Sequence, residues 1–293
     1  MKSKVYFTRE TDSAATIKLY DAVGLKLTGN IAFKIHSGED GNQNFLRPTF
    51  WKPLADYVGT DTVVECNTAY PGERNSTEKH LKLIEKHEWT KYFKVDIMDA
   101  EGPDMVLPVE PGNILEKNYV GKNLKNYDAC LIAGHFKGHP AGGYGGALKQ
   151  LSIGFASTVG KSLIHSAGEY DDQNVVWDHM ASNEDFTECM ADAAKSVVDY
   201  FGGNAVYIFA MKNLSVDCDC CNIAEDPCMK DIGILASTDP VALDKACLDL
   251  IWSSDDPGRD HLIERIESRE GRHIIEAAER IGVDSSEYEL IEI

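Results

Sequence analysis

Residues 184–211 read EDFTECMADAAKSVVDYFGGNAVYIFAM. In the first part, Glu184–Phe201, the spacing puts Phe186, Met190, Ala194, Val197 and Val198 on one side of a helix. The second part, Asn204–Met211, is a run of apolar residues of strand length. The same pairing recurs along the chain. Upstream, strands are predicted at Lys4–Thr8, Asn30–His36, Thr62–Cys66, Lys94–Met98, Asp104–Val109 and Asp128–Gly134. Between them come a helix over Asp12–Leu25, one opened by Pro48, and one capped by Asn75 with Glu78 three residues on. Downstream, Asp231–Ser237 reads as a strand and Asp239 as the cap of a helix over Val241–Trp252. Helices over His261–Ser268 and Ile274–Ile281 and an edge strand over Glu287–Ile293 follow. Such alternation predicts an α/β architecture, a mixed or mostly parallel sheet layered with helices. Residues 1–293 read as a single domain, and Gly168–Asn183 is the candidate boundary between two lobes.

Charge and composition narrow the function. The chain of 293 residues carries a net charge of −19. Such a surface repels phosphate backbones, which argues against nucleic acid as a partner. No apolar run is long enough to span a bilayer, so no membrane is expected as a partner. Met1–Arg9 reads as an opening strand rather than a signal peptide. A cytoplasmic protein follows, in which the eight Cys stay as thiols, metal ligands or redox groups. A second copy of the chain, as a homodimer, is a further candidate partner.

Against this acidic background, Ala129–Gly168 contains no Asp or Glu in 40 residues, where 48 in 293 would put about six or seven. The same window holds Lys137, Lys149, Lys161, His135, His139, His165 and nine Gly. Glycines let backbone N–H groups approach an anion, and lysines supply point charges. The window therefore predicts a site for a small anion. A plain surface loop accounts for it less well, since ordinary loops favour Asp.

Three known motifs fall short here. His135 and His139 have the i, i+4 spacing of a zinc helix, but Gly138 lies between them and Pro140 follows. Gly143-Tyr144-Gly145-Gly146 misplaces the third Gly of a dinucleotide fingerprint. Gly154–Ser162 resembles a Walker loop with one residue too many, and Leu163–Gly168 does not continue as a good helix.

Cys218-Asp219-Cys220-Cys221 and Cys228 put four thiols within eleven residues. This density suits an iron–sulfur cluster or a metal ion, although the spacing matches neither a zinc ribbon nor a ferredoxin run. Free thiols or a redox pair are the alternatives. Two or three of the four are expected to face a common metal or partner surface. Cys66, Cys130, Cys189 and Cys247 read as core thiols.

Several motifs together resemble a known family. They are Lys34-Ile35-His36 with Gly38-Glu39, Leu46-Arg47-Pro48, Cys66-Asn67-Thr68, His135-Phe136-Lys137-Gly138-His139, Gly143–Lys149, Cys218-Asp219-Cys220, Asp231-Ile232-Gly233 and Asp239–Asp244. The chain resembles domain-of-unknown-function family 362, whose members are often labelled uncharacterised Fe-S center proteins. Longer relatives carry two ferredoxin-type four-Cys runs after the segment matching His165–Gly168. Here Glu169–Asp185 has no Cys, so only the Cys218–Cys228 loop could support that label. A fainter likeness is to the nickel-dependent lactate racemase group, which has a His followed by a Gly-Gly-x-Lys loop. His135 with Gly145-Gly146-Ala147-Leu148-Lys149 is similar, with one extra residue before the Lys.

The expected site combines these readings. Gly143, Gly145, Gly146, Lys149, Lys137, His36 and Glu39 bind a small anion, a carboxylate or phosphate compound. His135, His139 and Lys149 are the candidate catalytic residues, the two His as acid/base groups or metal ligands. Cys218, Cys220, Cys221 and Cys228 are the candidate ligands of a metal ion or iron–sulfur cluster. The rival function is a non-catalytic iron–sulfur or metal-binding redox protein that uses the cysteine loop. His36, Glu39, His135 and His139 should converge, because the strand ends on one side of an α/β sheet build a common crevice.

Overall fold

Apolar strands that run side by side need cover on both faces, and helices supply it. The computed structural model describes residues 2–102 and 104–293. Its strands and helices alternate in the order β1 (Ser3–Thr8), α1 (Ser13–Val23), β2 (Ile31–Lys34), α2 (Pro48–Val58), β3 (Thr62–Glu65), α3 (Thr77–Lys86), β4 (Lys94–Ile97), β5 (Met105–Pro108), β6 (Lys117–Val120) and β7 (Ala129–His135). Then come β8 (Lys137–His139), β9 (Gly143–Gly145), α4 (Ala147–Ser152), α5 (Thr158–His165), α6 (Asn183–Phe201) and β10 (Ala205–Met211). The chain closes with β11 (Gly233–Ser237), α7 (Pro240–Trp252), α8 (Arg259–Glu267), α9 (His273–Arg280) and β12 (Tyr288–Glu292).

Eight strands form one sheet in the order β12-β1-β11-β10-β7-β2-β3-β4. From β4 to β10 the strands are parallel, with Val206, Leu131, Phe33, Val63 and Val95 in one row across them. β11 alone runs antiparallel to its neighbours β10 and β1, and β12 pairs parallel with β1. The fold is thus α/β with a mostly parallel, mixed sheet. Phe33, Val63, Leu131 and Val206 pack with Leu19, Trp51 and Leu54 of α1 and α2 on one face. Cys130, Ile132, Tyr207 and Phe209 pack with Leu148, Met190, Ala194 and Leu243 of α4, α6 and α7 on the other. Each Leu or Phe buried this way contributes about 1.5–3 kcal/mol.

The chain runs outward from β2 to β3 and β4, then returns to place β7 on the other side of β2. The strand order therefore reverses between β2 and β7, and a crevice opens beyond their carboxyl ends. Lys34, Glu65 and His135 are the last residues of β2, β3 and β7 and stand at that edge.

Four local expectations are corrected. α3 is capped by Ser76 rather than Asn75. The strand predicted at Asp104–Val109 leaves the main sheet and pairs with β6, unpredicted, in a two-stranded ribbon. His135 and His139, expected on a loop leaving a strand end, sit in β7 and in the β8–β9 ribbon. Thr158–His165 is helical although the sequence pattern argues against it, because the Ser157 side chain accepts the Gly160 N–H at 3.2 Å and starts the turn. Among the described residues, no helix is long and apolar enough to cross a membrane.

Candidate functional site

A cavity of about 250 Å³ lies at the carboxyl edge, walled by the ends of β2 and β3, by α4 and α5, and by the cysteine loop. Four cations line it: Lys34, Arg74, Lys149 and Lys161, each at most 7% exposed. Glu65 is the one carboxylate among the described lining residues. It accepts the Ser37 N–H at 3.1 Å and lies 3.0 Å from His80 Nε2, 3.7 Å from Arg74 and 4.0 Å from Lys34. Burial works against its charge. The His80 bond and the charges of Lys34 and Arg74 outweigh that and hold the carboxyl well below the usual range. Behind the cavity, Glu39 pairs with Arg74 at 3.4 Å and accepts the Tyr70 O–H at 3.1 Å. Burial pushes the Lys34 ammonium down to about 8 despite the pull of Glu65. It pushes Lys161 down as well.

Three imidazoles line the same space: His36, His139 and His165. Burial, reinforced by the neighbouring cations, keeps each of them neutral, with His165 down to about 4. Their tautomers follow from their partners. His139 Nδ1 accepts the backbone N–H groups of Ala141 (3.2 Å) and Gly142 (2.9 Å). Its proton therefore sits on Nε2, which faces Cys220 Sγ at 3.8 Å. His165 is the opposite case. Its Nδ1–H donates to the Lys161 carbonyl at 2.7 Å, which leaves Nε2 with a free lone pair. The ring is held between Trp177 and Phe186.

The cysteine loop is pinned by Asp219. Its buried carboxylate meets Lys137 Nζ at 2.8 Å and His135 Nδ1 at 3.0 Å, and its carbonyl accepts the Glu39 N–H at 2.8 Å. Asn42 Nδ2 donates to the carbonyls of Cys218 (3.3 Å) and Cys221 (2.9 Å). Lys149 Nζ donates to Cys218 Sγ at 3.8 Å. One ligand atom each from His139, Cys218 and Cys220 lies within 4.8 Å of the other two. Burial raises the Cys218 thiol. A hydrogen bond from Cys218 lowers Cys220, but its contact with Cys221 and burial prevail and push it up to about 11.

The profile of the family described as Domain of unknown function (DUF362) matches residues 31–249, three quarters of the chain and all of the cavity wall. The chain belongs to the DUF362 family. No curated protein matches it. Among solved structures, the DUF362 chain is similar to the lactate racemase apoprotein from Thermoanaerobacterium thermosaccharolyticum. The identity there is 12% and the TM-score 0.49, over 82% of this chain and 55% of that one. It is also similar to a protein from Thermotoga maritima at 11% identity and a TM-score of 0.44, over 96% of this chain and 61% of that one. The chain thus spans little more than half the length of these two proteins.

The donors in this DUF362 chain do not fit the four-thiolate cluster that a ferredoxin-like label implies. Cys228 bonds the Leu214 carbonyl at 3.3 Å instead of joining the other three thiols. For His139 to take the fourth place through Nε2, its Nδ1 would have to give up the bonds it accepts from Ala141 and Gly142, since a ligating His donates its other N–H outward. Anaerobically purified protein should therefore show no four-cysteine cluster band at about 400 nm, and Cys228→Ser should leave its metal content unchanged. Iron at cluster stoichiometry, lost on replacing Cys228 by Ser, would refute this.

Of the residues singled out by sequence, His36, His139, Lys149, Cys220 and Cys221 line the cavity. Cys218 stands behind Lys149, and Glu39 behind Arg74. His135 and Lys137 lie outside the lining, both on Asp219, and His135 Nε2 also meets the Lys212 carbonyl at 2.6 Å. Gly143, Gly145 and Gly146 lie outside it too. Gly143 has φ 77° and abuts Gly271. A Cβ at Gly146 would come within 2.3 Å of Asp244. The next two amides, Ala147 and Leu148, already donate to Asp244 at 2.6 and 3.0 Å. In the glycine loop, then, an internal carboxylate occupies the place of the expected anion and fixes the helix that carries Lys149. Arg74, Glu65, Lys34, Lys161 and His165 complete the cavity without having been assigned to the expected site. Lys34 opens the Lys34-Ile35-His36 motif and Lys161 belongs to the carboxylate-free window, but nothing local marks Arg74 or Glu65.

Proposed function

We propose that this DUF362 chain is an enzyme that binds a small carboxylate or phosphate compound in the cavity and moves a proton on it. The observation that carries this reading is the charge imbalance of the lining, four buried cations against one carboxylate, in a protein of net charge −19. An anion is what such a cavity lacks. Lys149 and Lys161 hold the anionic group. Their charge also favours loss of a proton from the adjoining atom by stabilising the negative charge that develops. His165, with its free Nε2, takes that proton and, as the imidazolium so formed, returns one, while His139 offers its Nε2–H as a hydrogen-bond donor. One neutral imidazole with a free lone pair and one with an N–H to donate support proton transfer at this site more directly than two metal ligands.

Calorimetric titration with inorganic phosphate and short-chain carboxylates tests the binding. Lys149→Met should weaken it on the order of ten- to a hundredfold, the loss of one charge-assisted hydrogen bond. His165→Gln should leave binding intact and abolish exchange of substrate hydrogen with deuterated water, followed by proton NMR. Wild-type affinity in Lys149→Met, or no binding of any anion in the panel, would sink the reading.

A further inference from the structure

We infer that Lys34 is an amine nucleophile that captures a 2-oxo acid in the cavity as a Schiff base. This rests on the anion-binding reading above and names its substrate class. Three lysines share the cavity, but their partners differ. Lys149 donates to the Cys218 sulfur, and Lys161 to the carbonyl of Ala156, just before its own helix. Lys34 donates to the Ile35 carbonyl at 2.5 Å and is the one of the three within ion-pair distance of a carboxylate, Glu65 at 4.0 Å. It stands at the end of β2, where the strand order reverses. Gly154 makes room for its stem, since a Cβ there would come within 2.9 Å of Lys34 Cε.

This arrangement suits a carbonyl next to a carboxylate. The substrate carboxylate meets Lys149 and Lys161, and its carbonyl carbon then faces the third lysine. Burial, with two like charges near, leaves a usable fraction of Lys34 as free amine close to neutral pH. The amine nitrogen attacks the carbonyl carbon, and the nitrogen–carbon bond forms as the carbon–oxygen bond breaks. The oxygen leaves as water, with one proton from the amine and one taken up from solvent. The product is an iminium cation, and Glu65 is placed to pair with it. No oxidant or reductant is consumed.

The test is trapping with pyruvate. Wild-type protein is incubated with pyruvate and cyanoborohydride, which reduces an iminium to a stable secondary amine, and the adduct is mapped by peptide mass spectrometry. The expected result is one adduct on Lys34 in preference to the surface lysines. It should be absent without reductant, suppressed by excess propionate, more abundant at pH 8 than at pH 6, and lost in Lys34→Arg. Calorimetry with pyruvate and propionate runs alongside. Binding of both without an adduct on Lys34, or an adduct on Lys149 or Lys161 instead, overturns the Schiff base and spares the anion site. Failure of both ligands to bind overturns the anion site and this inference with it.

Discussion

Asp219→Asn should cost about 3–5 kcal/mol of stability, the usual result of removing one partner from a buried ion pair. The carboxylate is 1% exposed and serves Lys137, also 1% exposed, together with His135. Asn keeps the shape and loses the charge, so a buried ammonium is left uncompensated. The pH dependence identifies the cause. Burial opposes ionisation of Asp219, but the charges of His135 and Lys137 hold its carboxyl well below the ordinary range. A carboxylate depressed in the folded state contributes its stability above the unfolded value, about 4, and loses it as pH falls through the lower folded value. The gap between wild type and variant should thus stay constant from neutral pH down to about 4 and narrow in stronger acid. Urea unfolding at a series of pH values measures it. A gap that does not narrow in acid would mean that packing, not charge, is what Asn disturbs.

Glu65→Gln should cost a similar 3–5 kcal/mol in a buffer without small anions. Here the variant also separates structure from binding. With the one lining carboxylate gone, the cavity cations repel each other more, and an added anion should bind more tightly than in the wild type. Phosphate should therefore restore more stability to the variant than it adds to the wild type. Lys34 supplies a second signature. A lysine lowered in the folded state binds fewer protons there, so stability rises with pH between the folded value, about 8, and the unfolded value near 10.4. Without Glu65 the folded value falls further, and the rise should begin nearer neutrality. Thermal shift against pH, with and without phosphate, reads both effects. Equal rescue of the two proteins by phosphate would remove Glu65 from the cavity's electrostatics.

The sheet was legible because its long strands carry their own signal. β10, and β7 up to its closing Gly134-His135, are apolar runs, buried along their whole length, and no solvent-facing residue interrupts the pattern. β6, β8 and β9 are three or four residues long, too short for any period to appear. α5 was hidden by Gly160 and two serines, which weaken propensity while one of them, Ser157, starts the helix. For the site, the lack of carboxylates in Ala129–Gly168 marked the region of Lys149, Lys161, His139 and His165. Partnership stayed hidden. Lys137 and Asp219 lie far apart in sequence, and composition cannot tell a lysine that faces a cavity from one already matched. The glycine loop misled for the same reason: the Ala147 and Leu148 amides at its end looked free because Asp244 comes from another helix.

The reversed direction of β11 has a consequence for the cysteine loop. β10 ends and β11 begins at the same edge of the sheet, so residues 212–232 leave and return there like the tip of a long hairpin. A parallel β11 would have forced this segment to cross to the far edge before rejoining the sheet. Held at both ends, the loop bears a closure entropy that grows only with the logarithm of its length, about 0.6 kcal/mol for each doubling. Insertions between Asn222 and Pro227, beyond the three clustered thiols, would therefore be absorbed at the tip while the sheet keeps its register. The tip of the loop beyond Cys221 can thus vary in length at little cost in closure entropy, while the part pinned by Asp219 and the strand ends beneath it cannot.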